Sequence, residues 1–291
     1  MEKNININKT LMENIKYYGK IFCEEILNEY SEKKLENSWW EALKFFFEHS
    51  FYRGRRDELS DKYRKFTIKA LENYLNINEG LDNVYTKLKD QKEYFEIECL
   101  KSLINRYGKK NITNNDNFKK IRDDNPIIKN LTSPEEKDSL KNIEDIMMIL
   151  DVLNFIIKNE NRKNIYNYLK QKIINSEVKQ TYNELIRIRA IGDKIASLII
   201  RDIGLISRET SEIIKKTPEF AFPIDTLIRN KIAPKFREEK FKDDKEIKKF
   251  FINKCQEYSI DDTLEFAAGL WYIASNSLYI SLDLLSKLNN D

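Results

Sequence analysis

One histidine, seven glycines, five prolines and three cysteines are all that this 291-residue chain carries of those types, and each scarcity closes off some chemistry. A lone His49 cannot build a His-rich metal site. It also leaves Ser-His-Asp hydrolysis without a base unless His49 itself serves. Cys23, Cys99 and Cys255 stand far apart, with no CxxC pair and no four-cysteine iron–sulfur run, which reads as buried free thiols in a reduced, cytoplasmic protein. Few glycines and prolines disfavour a turn-dense β architecture. No apolar run approaches membrane-spanning length, the first residues lack an apolar signal core, and no GxxxxGK[ST] supports triphosphate hydrolysis.

What is present points to helices. Apolar residues make up 41 % and aromatics 12 %, enough for a substantial core despite 34 % charged residues. The 51 basic residues nearly cancel the 48 acidic ones, so a nucleic-acid claim has to rest on local clustering. Leu59, Tyr63, Phe66, Ala70 and Tyr74 recur at helical spacing, and Trp39 to Phe47 forms a denser apolar helix before them. Ser133-Pro134-Glu135-Glu136 reads as a helix start leading into Ile143 to Ile157. Ile247, Phe250, Phe251, Cys255 and Tyr258 mark another helical face, and Leu264 to Leu285 reads as a long buried helix. The asparagine-rich stretch 109–132 reads as a surface excursion or linker. The expectation is an all-α protein with about a dozen helices and no strand.

Two motifs carry chemistry. In Ile188-Arg-Ala-Ile-Gly-Asp-Lys194-Ile-Ala196, Ala190-Ile191-Gly192 forms a short turn between two helices, with Gly192 free to take a positive φ. Backbone N–H groups at the start of the second helix suit a DNA phosphate and ignore base sequence. The plain alternative is an αα-turn in a helical bundle. Lys194 opens that second helix, where the helix dipole disfavours a cation by about 0.3–1 kcal/mol and so favours the neutral amine that attacks a sugar carbon. The alternative is a solvated surface lysine. In Phe222-Pro-Ile-Asp225-Thr-Leu-Ile-Arg229, Asp225 reads as a helix N-cap contributing about 1 kcal/mol, a role compatible with facing an oxocarbenium-like sugar.

Ile188 to Ala196 and Ile224-Asp225-Thr226 resemble the helix-hairpin-helix (HhH-GPD) DNA glycosylase superfamily, whose hairpin reads approximately Leu-Pro-Gly-Val-Gly-x-Lys-x-Ala before a later Val-Asp-Thr/Tyr. The likeness covers residues 180–232 most specifically, 39–75 more weakly and the surroundings of Trp271 faintly. Asp225 follows Lys194 by 31 residues, a spacing most similar to the archaeal 8-oxoguanine glycosylase (N-glycosylase/DNA lyase) branch. The resemblance implies two helical lobes: residues 1–130, a hairpin-bearing catalytic lobe at 131–240, and C-terminal helices 241–291 that return to the N-terminal lobe. It places the nucleophile on Lys194 and the catalytic carboxylate on Asp225, with Ala190, Ile191 and Gly192 against DNA. Ala190 stands for the first hairpin glycine and Arg189 for the proline. Tyr52 stands where a base-reading glutamine is expected, and Tyr63 where a stacking tryptophan is.

Arg53, Arg55 and Arg56 interleave with Phe51 and Tyr52, which reads either as phosphate contacts with an aromatic wedge or as a solvated loop. Pro223, Tyr52, Tyr63 and Trp271 form the expected base pocket, with a core position the alternative for Trp271. Lys215-Lys216 and Lys235-Arg237 read as exposed charge that helps DNA approach. The implied activity is a monomeric, cytoplasmic, nucleoid-associated DNA glycosylase and AP lyase. It removes a damaged base, 8-oxoguanine by resemblance, from duplex DNA without a membrane partner. No cofactor or metal is required; the resemblance allows a monovalent cation at the hairpin carbonyls. Two other readings stand beside it: a non-catalytic helix-hairpin-helix module in a repair or defence assembly, and, remotely, a metal-dependent nuclease using Glu177-Val-Lys179.

Overall fold

A computed structural model describes residues 9–52, 57–77, 80–109, 112–133, 135–136, 138–237, 240–276 and 278. Among these residues there are fifteen α-helices, joined by 3₁₀ turns and one π turn, and no strand. No helix among them is long and apolar enough to cross a membrane. The chain divides into two compact units that are discontinuous in sequence. One comprises Met1–Glu32, Lys170–Tyr182 and Asp193–Asp291; the other comprises Lys33–Leu169 and Asn183–Gly192.

The second unit holds helices α2 (Glu32–Asn37, from its second residue) to α9 (Ile143–Ile157) and the start of α10 (Ile165–Ile174). Helix α3 (Trp39–Ser50) starts at Ser38, whose hydroxyl accepts the Glu41 N–H at 3.3 Å. Its lone histidine is structural: His49 is 3 % exposed, and its Nδ1 lies 2.7 Å from the Phe45 carbonyl oxygen. Helix α4 (Asp57–Leu75) buries Ser60, Thr67, Ala70 and Leu71, while Leu59 is 39 % exposed. The buried face is therefore rolled by one residue from the Leu59–Tyr63 stripe, because the Ser60 hydroxyl donates to the Phe51 carbonyl at 2.8 Å and draws that edge inward. Helix α9 is the apolar axis of this unit, buried almost all round.

Two expectations fail here. The asparagine-rich stretch is no linker: it folds into α7 (Asp116–Asp124) and α8 (Pro126–Leu131). Asn115 and Asn125 are their N-caps; the Asn125 side chain accepts from Ile127 and Ile128 and donates to the Tyr94 carbonyl. The second correction concerns Ser133, which starts no helix. The chain after it turns, and the Leu140 N–H donates to the Leu131 carbonyl at 2.9 Å, which ties it back to the end of α8. Asn142 then caps α9.

The first unit holds α1 (Lys9–Glu25), α11 (Val178–Leu185, up to Tyr182), α12 (Asp193–Ile206), α13 (Arg208–Ile214), α14 (Asp244–Glu257) and α15 (Thr263–Ser275). Helix α12 is apolar on most sides, and its Leu205 and Ile206 pack against the cluster that holds Phe222, Phe251 and Phe266. Helix α15, capped by Asp262, ends at Ser275; residues 277 and 279–285 of the expected longer helix lie outside the described residues. Helices α1 and α15 approach so closely that side chains are absent at the crossing. A Cβ on Gly19 would lie 1.8 Å from the Glu265 carbonyl oxygen, and one on Gly269 would lie 1.8 Å from that of Ile15. Backbone cannot yield as a side chain does, so the helices would have to separate. Gly19→Ala and Gly269→Ala are each expected to destabilise the protein by about 3 kcal/mol or more in chemical denaturation. An unchanged midpoint would refute this packing.

Candidate functional site

Helix α11 ends because its carbonyls turn to tighter partners: Arg187 N–H donates to Glu184 O, and Ile188 N–H to Leu185 O. The Ile188 carbonyl then accepts the Ile191 N–H at 3.0 Å, closing the turn. The left-handed residue in it is Ala190, at φ +62°, and Gly192 is outside that region. The expectation for Gly192 is thus corrected. The strain sits on Ala190. The turn tolerates it because Ile188 and Ile191, 4 % and 3 % exposed, anchor both sides.

Arg189 is held by both its backbone and its side chain. Its backbone N–H donates to Asp151 Oδ2 at 2.7 Å, and its guanidinium grips both oxygens of Glu144 at 2.9 Å. Burial alone would raise the Glu144 carboxyl, but hydrogen bonds and charge from Lys109 and Arg189 outweigh it and hold the group below its usual range. A proline would lose the N–H bond and the ion pair together.

The chain passes into the first unit at Asp193, which opens α12. Its carboxylate receives the Tyr182 hydroxyl from α11 and the Lys248 ammonium from α14, the latter at 3.0–3.1 Å. Lys248 also donates to Ser197 Oγ at 3.2 Å and to the Glu219 carbonyl at 3.3 Å. Partial burial, then the hydrogen bond and charge of Asp193, push the Tyr182 phenol above its usual range, so it stays a donor at neutral pH. Lys194, half-buried, lies in the same first turn. Neither Asp193 nor Lys248 was anticipated from sequence. The available signal was Lys248 itself, which shares the helical stripe of Phe251, Ile252 and Cys255 and is 6 % exposed.

Asp225 is in the same unit as Lys194 and is an N-cap: its Oδ1 accepts the Ile228 N–H at 2.7 Å. Beyond it the backbone widens into a π turn at Ile228–Ile232 before Pro234, whose ring cannot donate into a continuing helix. Such π turns recur at functional sites. The segment leading to Asp225 leaves the 3₁₀ turn Pro218–Ala221, which packs on α12.

The remaining candidates fall as follows. Pro223 is buried. Trp271, 7 % exposed, belongs to the core of the first unit: Phe22 meets it edge-on at 5.6 Å, and the fully buried Arg201 guanidinium lies 5.8 Å from its ring. Its place in a base pocket is therefore corrected to a packing role. Tyr52 and Tyr63 are half-buried in the second unit, with the Tyr52 hydroxyl donating to Glu48 Oε1 at 3.3 Å. Arg53, Arg55 and Arg56 lie outside the described residues. Ala190, Ile191 and Gly192 belong with the second unit. Lys215 is paired with Glu212 and Asp262, and Arg237 with Glu246. Glu177 is bridged to Lys172 at 3.0 Å at the start of α11, with no strand among the described residues to present it as a nuclease carboxylate. Among the described residues no group of three or more His, Cys, Asp or Glu side chains is placed to hold a metal ion.

Compared with protein-family models, with curated proteins and with solved structures, the chain matches none. The turn offers its own test. Because a left-handed non-glycine residue costs about 1–2 kcal/mol and glycine returns part of that as unfolded-state entropy, Ala190→Gly is expected to raise stability by about 0.5–1 kcal/mol. Destabilisation on thermal unfolding would contradict the assigned conformation.

Proposed function

We propose that the chain is a DNA base-excision enzyme, a glycosylase with AP-lyase activity, acting through Lys194 and Asp225. The observation that carries the reading is at the start of α12. Gly192 is exposed, needs no positive φ, and a Cβ built on it meets nothing within 4 Å. Neither backbone nor packing requires a glycine there. Close approach of a ligand to the helix N–H groups does, and a phosphate is the ligand such a terminus suits. The residue two positions on is a half-buried lysine.

The chemistry follows from these groups. The neutral Lys194 amine attacks C1′; the C1′–N bond breaks, and its electron pair leaves with the base, which takes up a proton. Loss of the amine proton and ring opening give the imine. Abstraction of a 2′ proton then expels the 3′ phosphate by β-elimination, and water releases the lysine. Asp225 commits one oxygen to Ile228, which fixes the carboxylate so that the other can face the positive charge developing on the sugar. Resemblance alone makes oxidised guanine the preferred base.

Borohydride trapping tests the reading. Wild-type protein is expected to form a covalent adduct with an abasic or 8-oxoguanine duplex and Lys194→Gln none, while Asp225→Asn is expected to slow base release by about 10²-fold or more. Duplex binding that survives both substitutions, with no base released from any lesion by the wild type, would instead establish a non-catalytic DNA-binding module.

Gly192→Ala separates binding from folding. The added methyl is expected to leave stability unchanged or raise it by up to about 1 kcal/mol, while weakening duplex affinity. Unaltered affinity in a gel-shift titration would remove Gly192 from the DNA contact.

A further inference from the structure

The reading of Lys194 as nucleophile raises the question of what holds it, and the inference below rests on that reading. A helix's first turn is where it frays, since its leading N–H groups lack intrahelical partners. Ahead of α12 stands Gly192, which contributes no side chain. An amine carried in such a turn shares the turn's motion, and a misplacement of about 1 Å costs on the order of 10²-fold in rate.

Lys248 restrains that turn. Its side chain is 7 % exposed, and its ammonium finds an acceptor for each of its three protons: the Asp193 carboxylate, Ser197 Oγ and the Glu219 carbonyl. Asp193 and Ser197 are four residues apart, one above the other on the same face of α12, and Lys194 lies in the turn they bound. Glu219 belongs to the 3₁₀ turn packed on that helix. Tyr182 reaches the same carboxylate from α11, its ring 5.3 Å from that of Phe220. Side chains from α11 and α14 thereby meet at one carboxylate at the start of α12. An ammonium with every proton engaged has no lone pair to offer a sugar, so the network holds rather than attacks.

We propose that Lys248 is a positioning residue for Lys194: by clamping Asp193 and Ser197 it fixes the turn from which the nucleophile projects.

The test compares Lys248→Met with wild type, at a temperature well below the unfolding transition of both. Single-turnover borohydride trapping is expected to slow about tenfold or more while affinity for an abasic duplex stays within about twofold. Amide exchange is expected to accelerate at residues 193–197 and not along α14. Lys248→Gln, which retains a donor for the Glu219 carbonyl, is expected to shift both readouts in the same direction by less, and it replaces the methionine variant if that does not fold. Trapping at the wild-type rate, a proportional loss of affinity, or unchanged exchange at 193–197 would overturn the assignment. If wild-type protein forms no adduct, the glycosylase reading fails, and amide exchange alone then decides whether the clamp exists.

Discussion

The start of α12 depends on one carboxylate. Asp193 stands at the positive end of the helix dipole, where an acid is favoured, and it accepts a buried ammonium and a phenol from two other helices. The same ammonium, enclosed between α12 and α14, also holds the 3₁₀ turn at Pro218–Ala221 through the Glu219 carbonyl. The chain that leaves this turn delivers Pro223 to the core and Asp225 to its cap. Thus the two residues assigned to chemistry both begin helices whose entry is determined by short polar contacts, while the apolar core around Phe222, Phe251 and Phe266 supplies the rigid support.

Helix content and most apolar faces were legible in the sequence because period and composition agree. Ile247, Phe251 and Cys255 are buried as their spacing requires, and α9 runs where its apolar density places it. What misled was the end of elements. Asparagine signals both loops and caps, and only tertiary contact, such as the Asn125 bond to Tyr94, decides between them. Ser133 followed by proline satisfies every local rule for a helix start, yet the Leu140–Leu131 backbone bond takes the chain elsewhere.

The site was legible in part, for a different reason. The positions of Lys194 in the first turn of α12 and of Asp225 as an N-cap follow from neighbours close in sequence, a glycine turn and a proline-led cap. The Asp193–Lys248 contact spans 55 residues, and nothing local at either end signals the other. Trp271 illustrates the converse: an aromatic with an attractive functional reading, placed by Phe22 and Arg201 in the core. The two neighbours in the hairpin turn are held differently: Arg189 pairs with Glu144, whereas Ala190 bears a left-handed φ.

The central claim is that the amine following the Gly192–Asp193 entry to α12 performs the chemistry. Peptide mapping by mass spectrometry of the borohydride-reduced protein–DNA adduct tests this directly. A sugar remnant carried on Lys194 is the expected result. A remnant on Lys248 or any other lysine, or no adduct with any damaged duplex, would contradict it.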